Sequence, residues 1–346
     1  MNEESFNEYK NKGRTGLANC GNTCYVNACI QCLSHTYELN NFLKDKSYEE
    51  KLNNLPDAVL IVEWNSLREL MWSQNCQIAP WGFIKAIQKV ASLKSNNMFT
   101  NYNQNDVQEF LLFLIECFHN SISRQVNMKI SGDVLNSKDI LAKQCYKMMS
   151  EMYADDYSEI IQMFYGIHVS IITDIKSNKI LSVRPEPFSV LSLPLPLTKS
   201  NISIYDCLDD YCIKEKLEGE NSWYNDETNQ KQDVNKGLRF WSLPDILIIH
   251  LKRWNYDGKK DRRFVDLPIN DLSLENYVDG YNSSSYIYNL YGVCLHHGIT
   301  AGGHYTANVR DTSDNWYNCN DLIINQIKLE HVINNDAYCL FYRKKK

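Results

Sequence analysis

Residues 16–33 read GLANCGNTCYVNACIQCL. A Gly- and Asn-rich turn gives way at Cys24 to a run with apolar residues at Val26, Ile30 and Leu33, the spacing of one helical face. A cysteine at the start of a helix meets unpaired main-chain N–H groups that carry positive partial charge. Such a thiol is expected to ionise more easily, and the thiolate is the nucleophilic form. Read locally, Cys24 can equally be a small buried hydrophobe. Cys20 lies in the turn rather than at the helix start. Cys29 and Cys32 fall three apart within the helix, with no second pair at zinc spacing, and read as core.

The far end of the chain offers a partner for Cys24. In GITAGGHYTANVR (298–310), Gly298, Gly302 and Gly303 precede His304, and a strand pattern follows. Glycines let a loop approach a substrate backbone and change shape, and a histidine at the loop–strand junction can serve as general base. His296 and His297 fall nearer a strand interior and read as structural. Asn320 and Asp321 follow 16 and 17 residues after His304. A return strand of that length brings one of them to the imidazole, where its oxygen accepts from Nδ1–H and fixes the tautomer. Alone, the Asn-Asp pair reads as a turn. The order Cys…His…Asn is that of papain-like cysteine peptidases. The separation of 280 residues from Cys24 to His304 implies a sizeable insertion.

Composition fits a folded chain. It has 346 residues, 44% hydrophobic and 23% charged, enough for a large core. The net charge of −6 argues against a nucleic-acid partner. No apolar signal segment opens the sequence, and the apolar stretch at 110–118 is too short to span a membrane. The twelve cysteines are expected as reduced thiols, in the cytoplasm and/or the nucleus. Residues 1–14 read as a polar leader. Helical spacing appears at 25–34, 55–72, 81–93 and 106–118, and 119–160 is polar and partly helical. Strand character follows at 166–174, 188–197, 243–252, 288–296, 304–310, 315–319 and 338–343. Residues 198–240 read as a polar excursion and the terminal RKKK as a solvated tail. Helices first and strands after point to an α+β fold.

Together these segments resemble the ubiquitin-specific proteases. GLANCGNTCYVNACIQCL resembles their cysteine box, and NQNDVQEFLLFL (103–114) their Q-x-D-x-x-E-F block. LPDILIIHLKRW (243–254) is similar to the strand before their first blocking loop. YNLYGVCLHHGITAGGHYTANV (288–309) and NWYNCND (315–321) resemble the histidine box and the segment carrying the third triad residue. YCLFYRK (338–344) matches their terminal strand.

The resemblance implies a papain-like catalytic domain over 15–346, shaped as a right hand. About 15–160 would form the thumb side, about 161–240 largely the fingers, and about 241–346 the palm. The implied activity is a cysteine-type deubiquitinase, cutting after the C-terminal glycine of ubiquitin through a thioester, with no cofactor and no metal. Cys24 would attack, His304 move the proton, and Asn320 orient His304, with Asp321 assisting or positioning water. Asn19 and the Cys24 N–H would form the oxyanion hole. Gln104, Asp106 and Glu109 would line the cleft for the arginine-bearing ubiquitin tail. Asp106 and Glu109 also read as a capping box. Tyr305 would wall the channel that admits only glycine, and 255–263 and 297–303 would be the two blocking loops. A ubiquitin-like modifier as substrate, or a catalytically silent ubiquitin-binding scaffold, are the alternatives. The implied partner is ubiquitin or a ubiquitinated protein, for a monomer with a separate activating or targeting partner, and with neither nucleic acid nor membrane.

The fingers depart from the family. Asp174, Ser177, Asn225 and Thr228 stand where two zinc-binding C-x-x-C pairs would fall, and Cys207 and Cys212 do not restore the spacing. No structural zinc is expected, and Trp223 and Tyr224 are the expected local anchors.

Overall fold

The computed structural model describes residues 7–226, 228–299 and 302–345. Its main helices are α1 (Cys24–Ser34), α2 (Tyr37–Lys44), α3 (Ala58–Ser73), α4 (Trp81–Leu93), α5 (Val107–Ser121), α6 (Ser137–Asp155), α7 (Glu159–Phe164) and α8 (Ile204–Cys212). The main strands are β1 (Gly166–Asp174), β2 (Ile180–Phe188), β3 (Val190–Pro194), β4 (Glu215–Leu217), β5 (Val234–Ser242), β6 (Ile246–Lys252), β7 (Leu272–Ser273), β8 (Ile287–Ile299), β9 (Gly302–Arg310), β10 (Trp316–Asn320), β11 (Ile323–Ile327) and β12 (Ala337–Lys344).

The large palm sheet runs in the order β11-β10-β9-β8-β12-β6-β3, with β7 paired to β8. Its neighbours are antiparallel except β3 and β6, which are parallel. One face packs on α1, and the helices around α1 complete that core. Every residue of α1 is buried, so its polar side chains need internal partners. The Gln31 amide supplies one by donating to the Thr15 carbonyl at 2.7 Å. The opposite face of the sheet carries a second apolar core with α8 against it. The smaller finger sheet runs β2-β1-β5-β4, and α6 lies against it, with Tyr146 edge-on to Trp241. The expected α+β fold is the one found.

Several expectations change. The leader is not merely polar: Tyr9 is buried, stacks on Tyr37 and meets the edge of Trp72. Residues 1–6 of that leader lie outside the described residues. The terminal basic run is not a solvated tail as far as Arg343, because β12 continues through it. Its guanidinium lies over the rings of Tyr37 and Tyr291 and pairs with Glu38 at 2.8 Å. The 198–240 excursion contains α8, capped by Ser203 with Asp206, and strands β4 and β5. Strand β3, from the segment expected to be largely fingers, joins the palm.

In the fingers, Tyr224 is exposed and Trp223 only half-buried, so neither anchors the tip as expected. A hydrogen-bonded chain does so instead. Ser177 donates from its N–H and hydroxyl to Asp174, both at 2.7 Å. Gln232 donates to the other Asp174 oxygen at 3.4 Å and accepts from Asn225 at 3.2 Å, and the Thr228 N–H donates to Asn225 at 3.4 Å. The four residues at the zinc positions thus hold one another through Gln232. Cys207 is buried in the second core, and His168 pairs with Tyr211 and Glu186. Among the described residues, no group of three or more Cys, His, Asp or Glu side chains could hold a metal.

Candidate active site

Cys24 is the first residue of α1, whose start carries no side-chain cap. The sulfur is buried where α1 packs against β9, and the main-chain N–H of Tyr305, the residue after His304, favours its thiolate. The expected easier ionisation is not what this setting produces. Burial pushes the Cys24 thiol up and Asp321 adds to the rise, while the N–H groups of Tyr305, Tyr25 and Cys24 itself only partly oppose them. Desolvation, a tertiary quantity, outweighs the helix terminus. Cys20 is also buried and raised, first by burial and then by Asp321, and its Sγ lies 3.5 Å from the Ala18 carbonyl. Cys29 and Cys32 are core, with Cys32 Sγ 3.7 Å from Cys294 Sγ.

His304 is the third residue of β9, and Asn320 ends β10. Asn320 Oδ1 lies 2.7 Å from His304 Nε2. The tautomer therefore differs from the expected one: the carbonyl of Asn320 accepts from Nε2–H, which leaves Nδ1 as the basic nitrogen. Gly303 beside it has a specific reason to lack a side chain. A Cβ there would stand 2.2 Å from the His296 ring. Gly298 takes φ +118°, a conformation glycine adopts without strain.

Asp321 does not touch His304. It adopts the left-handed conformation, φ 50°, and reaches back to the cysteine loop. Its Oδ1 accepts from Asn27 at 2.8 Å, its Oδ2 from Asn19 at 3.1 Å, and its carbonyl from the Leu17 N–H at 2.9 Å. Asn19 is held at its other end too, where Oδ1 accepts from the N–H groups of Gly21 and Thr23. One hydrogen of the Asn19 amide is engaged by Asp321, and the second has no partner among the described residues. Sequence reasoning missed Asn27, which is buried and also donates to the carbonyls of Leu17 and Ala18. A polar residue inside an apolar helix, three positions past Cys24, was the available signal.

The cleft residues divide. Gln104 clamps the main chain of Gly303, donating to its carbonyl at 2.9 Å and accepting from its N–H at 3.2 Å. Asp106 caps α5, accepting from the N–H of Gln108 and Glu109, and its second oxygen accepts from the Tyr338 hydroxyl at 2.6 Å. Glu109 does not complete a capping box. It is exposed, and its carboxylate has no partner among the described residues. The Tyr305 ring is buried against His296 and Tyr338, so what it offers the site is its main-chain N–H rather than an exposed wall.

The 255–263 loop is tied down. Arg253, fully buried, donates to the carbonyls of Ala337, Asp261 and Arg263. Lys260 bonds the His296 carbonyl and Asp336, and Arg262 reaches the Gly298 carbonyl, linking the two expected blocking loops. Asp336 also meets His297 at 3.0 Å, so His297 has the structural setting expected. Residues 300 and 301 of the second loop lie outside the described residues.

A family model described as ubiquitin carboxyl-terminal hydrolase matches residues 15–342. The chain belongs to that family. Ubiquitin carboxyl-terminal hydrolase Usp2 of Drosophila melanogaster is 32% identical over 347 residues, covering 98% of this chain and 36% of that protein. Ubiquitin carboxyl-terminal hydrolase 2 of Homo sapiens is 30% identical over 349 residues, covering 98% of this chain and 56% of that protein. The chain thus spans roughly a third to a half of these relatives' length. Among solved structures, Ubp8 in the SAGA DUB module with Sgf11, Sus1 and Sgf73, bound to monoubiquitin, superposes with a TM-score of 0.73. It is 25% identical over 98% of this chain and 70% of its own. The papain-like fold of this family is the fold of this chain.

Proposed function

We propose that this chain is a thiol-dependent deubiquitinase, hydrolysing the isopeptide or peptide bond after the last glycine of ubiquitin. The observation that carries it is the junction of α1 and β9. Helix α1, which Cys24 opens, packs against β9, the strand that carries His304, and His304 is in turn held by Asn320 at 2.7 Å.

Burial keeps the Cys24 thiol protonated in the free chain, so Nδ1 of His304 takes the proton as the sulfur attacks the glycine carbonyl. The new C–S bond leaves a tetrahedral oxyanion, received by the Cys24 N–H and the free hydrogen of the Asn19 amide. Collapse breaks the C–N bond. His304 returns its proton to the departing lysine nitrogen, and a thioester remains. Water, deprotonated by His304, then frees the ubiquitin carboxylate and the thiol. Asn320 keeps the imidazole in the productive tautomer, and Asp321 and Asn27 fix the oxyanion loop. Exposed Glu109 is the carboxylate we assign to the cationic ubiquitin tail. The monoubiquitin bound to the structurally similar Ubp8 supports ubiquitin as the partner. The three further proteins in that module support a separate partner for this chain also, rather than action as a monomer alone.

The test is hydrolysis of a ubiquitin C-terminal amide by the purified chain, beside the same amide of Nedd8. Turnover of the ubiquitin amide that Cys24→Ala abolishes and Cys20→Ala keeps is the expected result. Activity on Nedd8 alone, or loss in Cys20→Ala rather than Cys24→Ala, would overturn the reading.

A further inference from the structure

Strand alternation divides the side chains of the palm into two sets. On β9, Tyr305, Ala307 and Val309 point into the core with α1, as do Tyr317 and Cys319 on β10. His304, Thr306 and Asn308, with Asn318 and Asn320, therefore occupy the opposite face. Lower on that face Trp316 joins the second apolar core, and nearer the His304 end His304, Asn318 and Asn320 are only half-buried while Thr306 and Asn308 are buried. A groove of 420 Å³ opens there, with His304 and Asn320 in its wall and the 331–334 segment along its far side.

A row of carboxamides crosses the groove one step in from the His304–Asn320 pair. Asn308 is in register with Asn318, and Asn318 with Asn325. Asn308 is buried and fully used. Its amide donates to the carbonyls of His331 and Val332, and its oxygen accepts from Asn318 at 2.8 Å. It thereby fixes the far wall and turns Asn318. The Asn318 oxygen and the whole Asn325 carboxamide are left without side-chain partners among the described residues. Among the described residues, no carboxylate, Lys or Arg lines the groove. Carboxamides offer donor and acceptor together, which matches the N–H and C=O alternation of an extended peptide.

We propose that this groove receives the acceptor polypeptide, the stretch that carries the ubiquitinated lysine. The inference rests on the deubiquitinase reading. His304 must reach the lysine nitrogen to protonate it, and a lysine's four-carbon stem then leaves its backbone beside His304. The ubiquitin tail is served from the thumb side, where Gln104 clamps Gly303 and Glu109 stands on α5, which packs on α1. The acceptor leaves across the other face. Asn325 and His331, both exposed at the mouth, then select among acceptors without acting on the bond itself.

The test compares two leaving groups. Ubiquitin C-terminal aminocoumarin amide has no acceptor polypeptide, whereas lysine-linked diubiquitins and a ubiquitin–peptide isopeptide conjugate do. Asn325→Trp and His331→Trp should lower kcat/KM on the lysine-linked substrates about tenfold or more and leave the coumarin amide within about twofold. The unchanged coumarin rate also shows that each variant is folded. Equal losses on both substrate classes, or no loss on either, would overturn the groove assignment. A wild-type chain that cleaves neither class would overturn the deubiquitinase reading itself.

Discussion

Replacing Asp321 by asparagine separates two things that the carboxylate does. Its oxygens accept from Asn27 at 2.8 Å and Asn19 at 3.1 Å, and its charge opposes ionisation of Cys24. An asparagine keeps the shape but offers one oxygen, so its own amide group must face one of those two donors. At least one charge-assisted bond is lost, worth about 1.5–3 kcal/mol. Asn19 is still held through Oδ1 by Gly21 and Thr23, so the penalty stays below the roughly 3 kcal/mol of deleting an oxyanion donor outright. Asp321→Asn should therefore lower kcat by about 10- to 100-fold with little change in KM. Removing the negative charge should at the same time let Cys24 ionise at lower pH. Iodoacetamide alkylation of Cys24, followed against pH by mass spectrometry, reads this directly: the profile should move to lower pH while turnover falls. A kcat within twofold of wild type, or a profile displaced to higher pH, would refute the role given to Asp321.

Three further outcomes follow from the same geometry. Asn320→Ala removes the 2.7 Å bond to Nε2 and should cost about 1–2 kcal/mol, near tenfold in kcat, whereas Asn320→Asp should keep most activity; steady-state kinetics of the pair checks this. In the fingers, Gln232→Ala cuts the link between Asp174 and Asn225 and should destabilise by about 1 kcal/mol in urea unfolding, while EDTA changes neither melting temperature nor activity and metal analysis finds no stoichiometric zinc. Burial lowers His35, His250 and His296 to about 4 each, so the unfolded chain binds more protons than the folded one between that value and the ordinary 6.5. The stability they contribute is complete above pH 6.5 and lost as pH falls towards 4. Unfolding free energy should drop by about 3 kcal/mol from pH 6 to pH 5, before carboxylates such as Glu159, held at about 2, begin to contribute. A flat profile in that interval would show that these imidazoles are not buried neutral.

The elements most legible in the sequence are those with sharp local borders. The expected helix at 81–93 is the observed α4, begun just after Pro80, and the expected strand at 166–174 is the observed β1. That Cys24 opens α1 and Asn320 ends β10 was legible for the same reason, whereas His304 lies two residues inside β9. Strand β5 was hidden because the finger sheet buries so little: in VNKGLRFWS, Val234, Phe240 and Trp241 alone are buried, and no alternation shows. Helix α8 carried a readable Ser203…Asp206 cap, and its polar surroundings masked it. Other features were not local at all. Asp321 acts on Asn19 from 302 residues away, and Arg343 finds Glu38 across 305. The ionisation of Cys24 depends on how deeply α1 is covered, which no local pattern reports.

The most direct measurement is capture of the nucleophile. Ubiquitin bearing a C-terminal electrophile, such as a vinyl methyl ester, is incubated with the wild-type chain, and the adduct is located by peptide mass spectrometry. One ubiquitin per chain, bonded to the sulfur of Cys24 and absent from Cys24→Ala and from chain unfolded beforehand in urea, is the predicted result. No adduct, or an adduct on Cys20 or another thiol, would contradict it.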